Sequence, residues 1–426
     1  MPSDFLIKPA FFIYNICWKI IIPLLHFNKR LAEGFLQRTF KEEPLRADLW
    51  IQAASAGEAY LAVEILKKLE FNKPVNILLT SGTKQGMDIL ESSIKEINDK
   101  DIVVNTSFFF FDQPNLMEKA VNKISPKLMI LLESELWPGH LLALKKSGCK
   151  TIIINGRITD KSLNQYLIFK SFWNEIAPDK IYAISDNDAK RFAILFGDES
   201  VEVMPNIKFD RFGGNEVKSD IQNPIEVLFQ NNSPFIVLAS IRKKEEPLIE
   251  NIITDILKKN PETIIGLFPR HMNRIRPWGK ALDRMNIKWT LRSKAKNHAP
   301  KGTVILWDTF GELLHAYKYA RAAFVGGSLV PLGGQNFIEA LNYGVVPVIG
   351  PHWDNFSWVG KEIAKEKLVR VAANWQEAAD ILNEHISNPP SRENTKFAAS
   401  QYFKHRQGGT AFAGNIIKDL LDKTAS

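Results

Sequence analysis

From residue 48 onward, apolar residues follow two alternating patterns along the chain. Short, nearly continuous apolar runs are typical of strands buried on both faces of a parallel sheet, and the longer segments between them repeat apolar residues at helical spacing. The strand-like runs are LWIQAA, NILLTS, IVVNTSFFF, LMILLES, KTIIING and IYAIS, and the helix-like segments are 59–69, 84–97, 115–123, 138–147, 160–176 and 187–196. This alternation predicts βαβ units around a parallel sheet.

The alternation lapses around residues 205–233, where PNIKFDRFGGNEVKSDIQNP is rich in turn-forming residues and predicts a linker. A second alternating set follows: FIVLAS, TIIGLFP, IKWTLRS, TVILWD, AAFVGGS and VVPVIG. The predicted fold class is α/β, with two Rossmann-like domains facing a central cleft at the carboxyl ends of their strands, where ligands bind. The predicted segments are an N-terminal membrane anchor and basic segment (1–45), a first domain (46–205), the linker (206–233), a second domain (234–395) and a C-terminal helical segment (396–426).

Composition agrees with two folded domains. At 426 residues the chain is longer than one hydrophobic core usually supports. A hydrophobic content of 45% and a charged content of 24% exclude an intrinsically disordered chain. The cysteines are limited to Cys17 and Cys149, which excludes a disulfide framework and suits a reducing compartment.

Residues 11–27, FFIYNICWKIIIPLLHF, form an apolar run that Asn15, Lys19 and Pro23 interrupt. A membrane-spanning helix needs about 20 apolar residues, so this segment either spans the bilayer marginally or lies on its surface, and the alternative is a buried helix. The net charge is +8, and the basic residues among the first 41 are Lys8, Lys19, Lys29, Arg30, Arg38 and Lys41. We expect contact with an anionic membrane surface and a cytosolic location for everything after residue 45.

The stretch Ser55-Ala56-Gly57-Glu58 follows the first strand and allows two interpretations. Its Ser-x-x-Glu spacing matches a capping box, in which the glutamate bonds back to the backbone at the start of a helix. Alternatively, Glu58 is a general base, because Gly57 leaves room for an acceptor to approach. The helix N-terminus is expected to keep Glu58 ionised.

Glu133 and Glu135 follow another strand of the first domain, in LLESELWPG. Strand alternation predicts that they share one face, where each carboxylate raises the pKa of the other. Arg157 closes the next strand and Lys208 lies in the linker. Both cations are predicted to point toward the cleft, although either suits an ordinary surface position.

Residues 326–344, GGSLVPLGGQNFIEALNYG, carry two glycine pairs around one loop. Gly326-Gly327 follow a strand, and Gly333-Gly334 precede a helix expected to open near Asn336. Such glycines bring backbone N–H groups close to a ligand, and the helix N-terminus favours an anion. Glu339 suits the hydroxyls of a ribose.

Arg270 comes directly after the apolar run TIIGLFP, at the carboxyl end of a strand. Its guanidinium suits a phosphate, and the alternative is a solvated surface cation. Ser185 to Asp188 resemble an Asp-x-Asp metal site but favour N-terminal capping of the following helix. We predict no metal.

Taken together, the motifs resemble those of 3-deoxy-D-manno-octulosonic acid (Kdo) transferases, which are membrane-associated glycosyltransferases with the GT-B fold. The markers are ASAGE (54–58), ESELWP (133–138), NGRITDKS (155–162), NIKFD (206–210), FPRH (268–271), FGEL (310–313), FVGGSLVPLGGQNFIEA (324–340) and GPHWDNF (350–356). Singly they are modest, and in this order and spacing they are specific.

The resemblance implies inverting transfer of Kdo from CMP-Kdo to the 6'-hydroxyl of a lipid A precursor (lipid IVA), on the cytoplasmic side of the inner membrane, with no cofactor and no nucleic-acid partner. It implies that Glu58 is the general base and that Glu133 and Lys208 stabilise the transition state. The implied CMP-binding residues are Pro269, Arg270, Phe310, Gly311, Glu312, Asn336, Phe337, Ile338 and Glu339, with support from Ser55, Gly57, Arg157, Gly334 and Gln335.

The chain departs from the family pattern at several positions. Gln52 and Gln335 stand where the family usually has histidine, and Pro205 replaces a glycine. The family element Ser-x-x-x-Gly-Glu-Glu lacks its glycine in residues 240–246. Two alternatives therefore stay open: another GT-B sugar-nucleotide transferase acting on a lipid acceptor, and a non-catalytic membrane-associated descendant.

Overall fold

The computed structural model describes residues 4–95, 101–212, 225–229 and 233–423. The chain forms two compact units: the first domain comprises residues 1–210 together with 406–426, and the second comprises residues 211–405. Each domain is built on a seven-stranded sheet whose paired strands run parallel. The predicted fold class of two α/β domains with parallel sheets is confirmed.

The first domain has the strand order β3-β2-β1-β4-β5-β6-β7. Its strands are β1 (Leu49–Ala53), β2 (Val75–Ser81), β3 (Ile102–Phe108), β4 (Leu128–Leu132), β5 (Lys150–Gly156), β6 (Lys180–Ala183) and β7 (Val201–Val203). Its helices are α1 (Asp4–Leu25), α2 (Lys29–Ala32), α3 (Phe35–Arg38), α4 (Ala56–Leu66), α5 (Lys84–Ile94), α6 (Pro114–Ile124), α7 (Pro138–Ser147), α8 (Asp160–Leu167), α9 (Lys170–Glu175) and α10 (Asp186–Phe196).

The second domain has the strand order β10-β11-β9-β8-β12-β13-β14. Its strands are β8 (Phe235–Ile241), β9 (Ile264–Pro269), β10 (Trp289–Leu291), β11 (Val304–Leu306), β12 (Ala322–Val325), β13 (Pro347–Ile349) and β14 (Arg370–Val371). Its helices are α11 (Glu246–Lys259), α12 (Ile275–Arg284), α13 (Leu313–Tyr317), α14 (Ile338–Asn342), α15 (Glu362–Lys365), α16 (Trp375–Ser387) and α17 (Arg392–Lys404).

The central strands are buried along their whole length. Every residue of β1 and β4 is buried, because helices cover both faces of a doubly wound sheet. That arrangement explains why these strands are nearly continuous apolar runs in the sequence. The edge strands β7 and β14 are short and partly exposed, and the apolar pattern did not predict them.

The last helix, α18 (Gly409–Lys423), belongs to the first domain. Its buried residues Ala413, Ile417 and Leu421 are part of the apolar core that also contains α4. Asp210 caps its start, since its carboxylate accepts hydrogen bonds from the backbone N–H groups of residues 408 and 410, each at 2.6 Å. The predicted C-terminal helical segment thus divides between the domains, with α17 in the second and α18 in the first.

The predicted linker is described only in part. Residues 207–211 and 226–229 form short 3-10 turns, and residues 213–224 and 230–232 lie outside the described residues.

The N-terminal apolar segment forms the long helix α1, which contains Pro9 and Pro23. Across the described parts of the chain, no helix is long and apolar enough to cross a membrane.

Candidate active site

The order of strands locates a ligand-binding edge in each sheet. In the first sheet β1 and β4 are neighbours. The strands that follow β1 extend the sheet toward one edge, and those that follow β4 extend it toward the other edge. Ligands of doubly wound folds bind beyond the carboxyl ends of the strands at such a switch point. Glu58 follows β1 in the first turn of α4, and Glu133 and Glu135 follow β4. We call these three residues the acidic cluster.

Glu58 sits in the geometry of a capping box. Its Oε2 accepts a hydrogen bond from the Ala54 N–H at 2.6 Å, and its Oε1 accepts one from the Ser55 hydroxyl at 3.0 Å. Ser55 is the N-cap of α4 and accepts from the Glu58 N–H at 3.5 Å. A side chain at residue 57 would meet only Ser55 Oγ, at 3.7 Å, so Gly57 does leave open space beside the carboxylate.

Burial and nearby charge make Glu58 a weak acid. Burial raises its pKa to about 8, with further increases from the charges of Glu135 and Glu133, and the hydrogen bonds from Ala54 and Ser55 offset only part of this rise. The expectation that the helix N-terminus keeps Glu58 ionised is therefore wrong, because burial and like charges outweigh the helix. A carboxylate of this pKa is a stronger base than an ordinary glutamate and is matched to work near neutral pH.

Glu133 lies in a turn and not in the strand. β4 ends at Leu132, and Glu133 has a φ of +58°, in the left-handed region that non-glycine residues rarely adopt. The prediction that strand alternation puts Glu133 and Glu135 on one face is therefore wrong. Strained backbone of this kind costs about 1–3 kcal/mol and is often found at functional sites.

Lys208 is paired with Glu133, with Nζ 2.5 Å from Oε1. Both side chains are mostly buried. The segment that carries Lys208 is fixed by Asn155, whose buried Oδ1 accepts a hydrogen bond from the Ile207 N–H at 2.9 Å. Asn155 also has a left-handed backbone, with a φ of +59°. Arg157, two residues later, is half-buried.

Glu135 completes the acidic cluster. Burial raises its pKa, the Trp137 and Gln52 side chains lower it, and the charge of Glu133 raises it further. The indole N–H of Trp137 donates to Glu135 Oε2 at 2.6 Å. We call residues 133–137, which join β4 to α7, the acidic loop.

A buried relay of hydrogen bonds orients the side chain of Gln52. The Trp50 indole N–H donates to Thr80 Oγ1 at 2.8 Å, and Thr80 in turn donates to Gln52 Oε1 at 2.5 Å. All of these side chains are buried. Thr80 occupies the amide oxygen of Gln52, whereas the buried amide nitrogen has no hydrogen-bond partner within normal distance and angle limits. The Gln52 side chain is nevertheless close enough to Glu135 to lower its pKa. Trp50 and Thr80 were not predicted from the sequence, because both look like ordinary strand residues, and Asn155 was predicted only as part of the marker NGRITDKS.

In the second domain, β8 and β12 meet at the corresponding switch point. The glycine-rich loop follows β12, with φ of +72° at Gly327, +81° at Gly333 and +78° at Gly334. Gly334 is buried, and its N–H donates to the Gly327 carbonyl at 2.8 Å. The Gln335 amide donates to the Gly334 carbonyl at 3.0 Å.

A buried carboxylate already occupies part of this loop. Glu245 Oε1 accepts hydrogen bonds from the N–H groups of Gly327 at 2.6 Å and Arg242 at 2.8 Å. The Gly327 N–H is therefore engaged within the protein, contrary to the expectation that the first glycine pair faces a ligand.

The helix after the loop begins later than expected. α14 starts at Ile338 and ends at Asn342, so it is too short to act as the anion-binding helix that the sequence predicted. Asn336 is exposed and donates to Glu339 Oε1 at 2.9 Å, and its Oδ1 accepts from the Ile338 N–H at 3.2 Å. Phe337 is a core residue packed against Trp353 and Phe356.

The charge of Arg270 acts on the carboxyl group of Glu339. Burial raises the pKa of Glu339, whereas the Asn336 hydrogen bond and the charges of Arg211 and Arg270 lower it. Arg270 itself is exposed at the end of β9, directly after the buried Pro269.

The segment 310–312 contains two different kinds of side chain. Phe310 is 83% exposed, and Gly311 has a φ of +81° with open space around it. Glu312, in contrast, is held by Arg292 at 2.8 and 3.0 Å and accepts hydrogen bonds from Trp307 and Thr309, each at 2.8 Å. Phe310 is thus largely exposed, and Glu312 is the ion-pair partner of Arg292.

No group of three or more His, Cys, Asp or Glu side chains among the described residues is arranged to hold a metal ion. The Asp-x-Asp sequence is a helix start, as predicted: Ser185 caps α10 and accepts from the Asp188 N–H at 3.1 Å.

The sequence matches a known protein family over the region that contains this site. The family model described as 3-deoxy-D-manno-octulosonic-acid transferase (kdotransferase) matches residues 26–211, which include the acidic cluster and Lys208. A 3-deoxy-D-manno-octulosonic acid transferase of Haemophilus influenzae is 26% identical over 93% of this chain and 92% of its own length. Residues 26–211 therefore carry a Kdo transferase family domain, and the chain is similar to Kdo transferases over most of its length. The predicted resemblance is confirmed, and with it the class of enzyme, a glycosyltransferase.

Other similarities agree with this match. The Kdo transferase of Rickettsia bellii is 27% identical over 92% of this chain and 91% of its own length. A bifunctional glycosyltransferase/methyltransferase of Fusobacterium nucleatum is 29% identical over 95% of this chain, which spans 62% of that relative. The structure of a UDP-GlcNAc 2-epimerase from Neisseria meningitidis shares the fold, with a TM-score of 0.57 at 13% identity over 88% of this chain and 99% of the epimerase.

Proposed function

We propose that this protein transfers Kdo from CMP-Kdo to the 6'-hydroxyl of a lipid A precursor (lipid IVA) in lipopolysaccharide biosynthesis, with Glu58 as the general base. The observation that carries the proposal is Glu58 itself, a carboxylate at the switch point of the first sheet whose pKa is raised to about 8. The similarity to Kdo transferases supports the choice of donor and reaction class.

In the proposed reaction, Glu58 takes the proton of the acceptor hydroxyl as the oxygen attacks the anomeric carbon of Kdo. The bond from that carbon to the phosphate oxygen of CMP breaks on the opposite face, and its electron pair leaves with CMP. The anomeric configuration is inverted, and no covalent enzyme intermediate forms. A buried base with an elevated pKa suits the proton transfer.

Lys208 favours the ionised form of Glu58, which a general base requires. With three carboxylates close together, ionisation of Glu58 is opposed by both neighbours. Lys208 neutralises one of them through its ion pair with Glu133. We propose that the pair also stabilises charge as it develops in the transition state.

The second domain offers groups suited to CMP. Arg270 is an exposed cation that suits the phosphate, and the acidic Glu339 suits the ribose hydroxyls. The exposed ring of Phe310 can stack on the cytosine base. No metal is needed, because Arg270 supplies the charge that the leaving phosphate requires.

We further propose that α1 lies on the cytoplasmic side of the inner membrane. Phe12, Ile16, Ile20 and Leu24 follow one another at four-residue spacing and are exposed, as expected for an apolar stripe on one face of a helix. The opposite face packs on the domain through Tyr14 and Asn15. The exposed cations Lys29 and Arg30 follow the helix and suit anionic headgroups.

The test is release of CMP when purified protein is incubated with CMP-Kdo and a tetra-acylated lipid A precursor in detergent micelles. We expect turnover, and a loss of about 100-fold or more in Glu58→Gln. Glu64→Gln, on the same helix, is the matched control and should retain full activity.

The outcomes separate the alternatives. Release of a nucleotide from a different sugar donor, and none from CMP-Kdo, would identify another GT-B transferase. No turnover with any donor, together with undiminished CMP binding, would indicate a non-catalytic descendant. Full activity of Glu58→Gln would show that the base is another residue.

A further inference from the structure

The buried carboxylate of Asp112 connects α1 to the start of α7, the helix that follows the acidic loop. Asp112 follows the aromatic residues at the end of β3 and is almost completely buried. Its Oδ2 accepts hydrogen bonds from the Tyr14 hydroxyl of α1 and from the Gly139 N–H of α7, both at 2.9 Å. Its Oδ1 accepts from the His140 N–H at 2.7 Å.

On the side of the acidic loop, Asp112 acts as the cap of α7. Trp137 stands at the N-cap position but makes no side-chain capping bond, so Asp112 satisfies the first N–H groups of the helix from another part of the chain. Gly139 has no room for a side chain, since a Cβ would lie 2.6 Å from the Asp112 carbonyl oxygen. One end of the acidic loop is fixed by the sheet, and Asp112 fixes the other.

A second route leads from Asp112 to Glu135 through packed rings. The His140 ring lies 4.7 Å from the ring of Trp50 and 5.2 Å from that of Phe109. Trp50 begins the relay through Thr80 to Gln52, which lowers the pKa of Glu135. The hydrogen bond from the His140 N–H to Asp112 therefore also positions the His140 ring, which packs against Trp50 at the start of the relay.

On the side of α1, the contacts converge on the same short segment. Besides the bond from Tyr14 to Asp112, the Gln113 amide donates to Asn15 Oδ1 at 3.2 Å. The Trp18 ring stacks on Phe111 with centroids 5.9 Å apart. The face of α1 that carries these contacts is opposite the face that exposes Ile16 and Ile20.

We infer that Tyr14 and Asp112 form a positioning pair that couples the seating of α1 on a lipid surface to the order of the acidic loop. This inference rests on the proposed membrane contact of α1. A lipid surface binds the apolar stripe of α1. In that orientation the opposite face of the helix, which carries Tyr14, is directed at Asp112. Lipid binding and the capped state of α7 therefore stabilise each other.

Hydrogen exchange of the full-length protein tests this coupling without relying on activity. Burial raises the pKa of Asp112 to about 7, so exchange is measured at pH 8, where the carboxylate is charged. In the wild type, vesicles of phosphatidylglycerol are expected to slow amide exchange of Gly139 and His140 by about ten-fold, because a hydrogen bond to a charged group is worth at least that factor. In Tyr14→Phe, which loses one hydroxyl, vesicle binding should persist and the added protection should disappear. Tyr60→Phe, the same change at an exposed tyrosine of α4, is the matched control.

Activity provides a second readout that a purely structural role would not give. In Tyr14→Phe and Asp112→Asn, kcat should fall about ten-fold, while KM for CMP-Kdo stays unchanged and circular dichroism shows a folded protein. Equal vesicle-dependent protection in wild type and Tyr14→Phe would overturn the coupling. A wild type that binds vesicles without any change in exchange would overturn it too. A wild type that binds no vesicles would overturn the membrane proposal and the coupling with it.

Discussion

Lys208 and Glu133 form an ion pair with 2.5 Å between Nζ and Oε1, although 75 positions separate them in the chain. The pair lies beside Glu58, whose pKa the charge of Glu133 helps to raise. Through this pairing, Lys208 influences the ionisation of the proposed base.

Lys208→Met is expected to lower kcat about ten-fold or more, because Glu133 then acts on Glu58 as an unpaired negative charge. The pH at which kcat/KM reaches half its alkaline plateau should move upward by about one unit from the value near 8 in the wild type. The measurement is the pH profile of CMP release. Lys146→Met, which breaks the exposed pair with Glu118, is the control. An unchanged profile in Lys208→Met would contradict the electrostatic role of the pair.

Glu58→Gln should stabilise the protein at alkaline pH. The pKa of Glu58 is raised from 4.5 to about 8 on folding, so the folded state binds more protons between these values. The stabilising contribution of the protonated group is complete below pH 4.5 and is lost as pH rises through 8.

At pH 9 the wild type carries a buried negative charge that Glu58→Gln lacks, and the variant should be more stable by at least about 1 kcal/mol. At pH 6 the difference should be smaller, because only part of the contribution has been lost at that pH, and below pH 4.5 it should disappear. Urea unfolding at both pH values measures it, and a variant less stable than the wild type at pH 9 would rule out the raised pKa.

Phe310→Ala is expected to weaken CMP binding about ten-fold, because stacking of an aromatic ring on a base is worth about 1–3 kcal/mol. Folding should be unaffected, since Phe310 is 83% exposed. Isothermal titration with CMP is the measurement. Phe397→Ala, at a position that is 68% exposed in the same domain, should bind CMP like the wild type. Equal affinity in both variants would exclude stacking by Phe310.

Ile20→Glu should weaken binding to phosphatidylglycerol vesicles about ten-fold, because a fully buried isoleucine side chain is worth about 1.5–3 kcal/mol. Ile20 is 65% exposed on α1, and the control Ile194→Glu is at a position that is 49% exposed on α10. Vesicle sedimentation distinguishes the two. Similar losses in both variants would show a general effect of charge and not a binding face on α1.

The fold was predictable because its central strands are buried on both faces. Runs such as LWIQA and LMILL are apolar enough to be recognised as strands without knowing which strands they pair with. The helical periodicity between them indicates the βαβ alternation. The two shortest edge strands, β7 and β14, carry too few residues for such a pattern.

The sequence predicted several residues of the candidate site, but not their pKa values or backbone conformations. Glu58 and Lys208 stand out by motif, but the raised pKa of Glu58 depends on burial and on neighbours that only the folded chain brings together. Glu133 was wrongly assigned to a strand, because its left-handed backbone leaves no trace in an apolar pattern. Asp112 was missed for a related reason: its partners come from α1 and α7, on either side of it in sequence.

Because α18 is packed into the first domain, the chain's order of synthesis differs from the order in which its cores are completed. The second domain, residues 211–405, is contiguous and can finish folding as soon as it has emerged from the ribosome. The first domain must wait for residues 409–423 to fill the apolar surface beside α4. During translation, the proposed acceptor domain therefore completes its core after the second domain can.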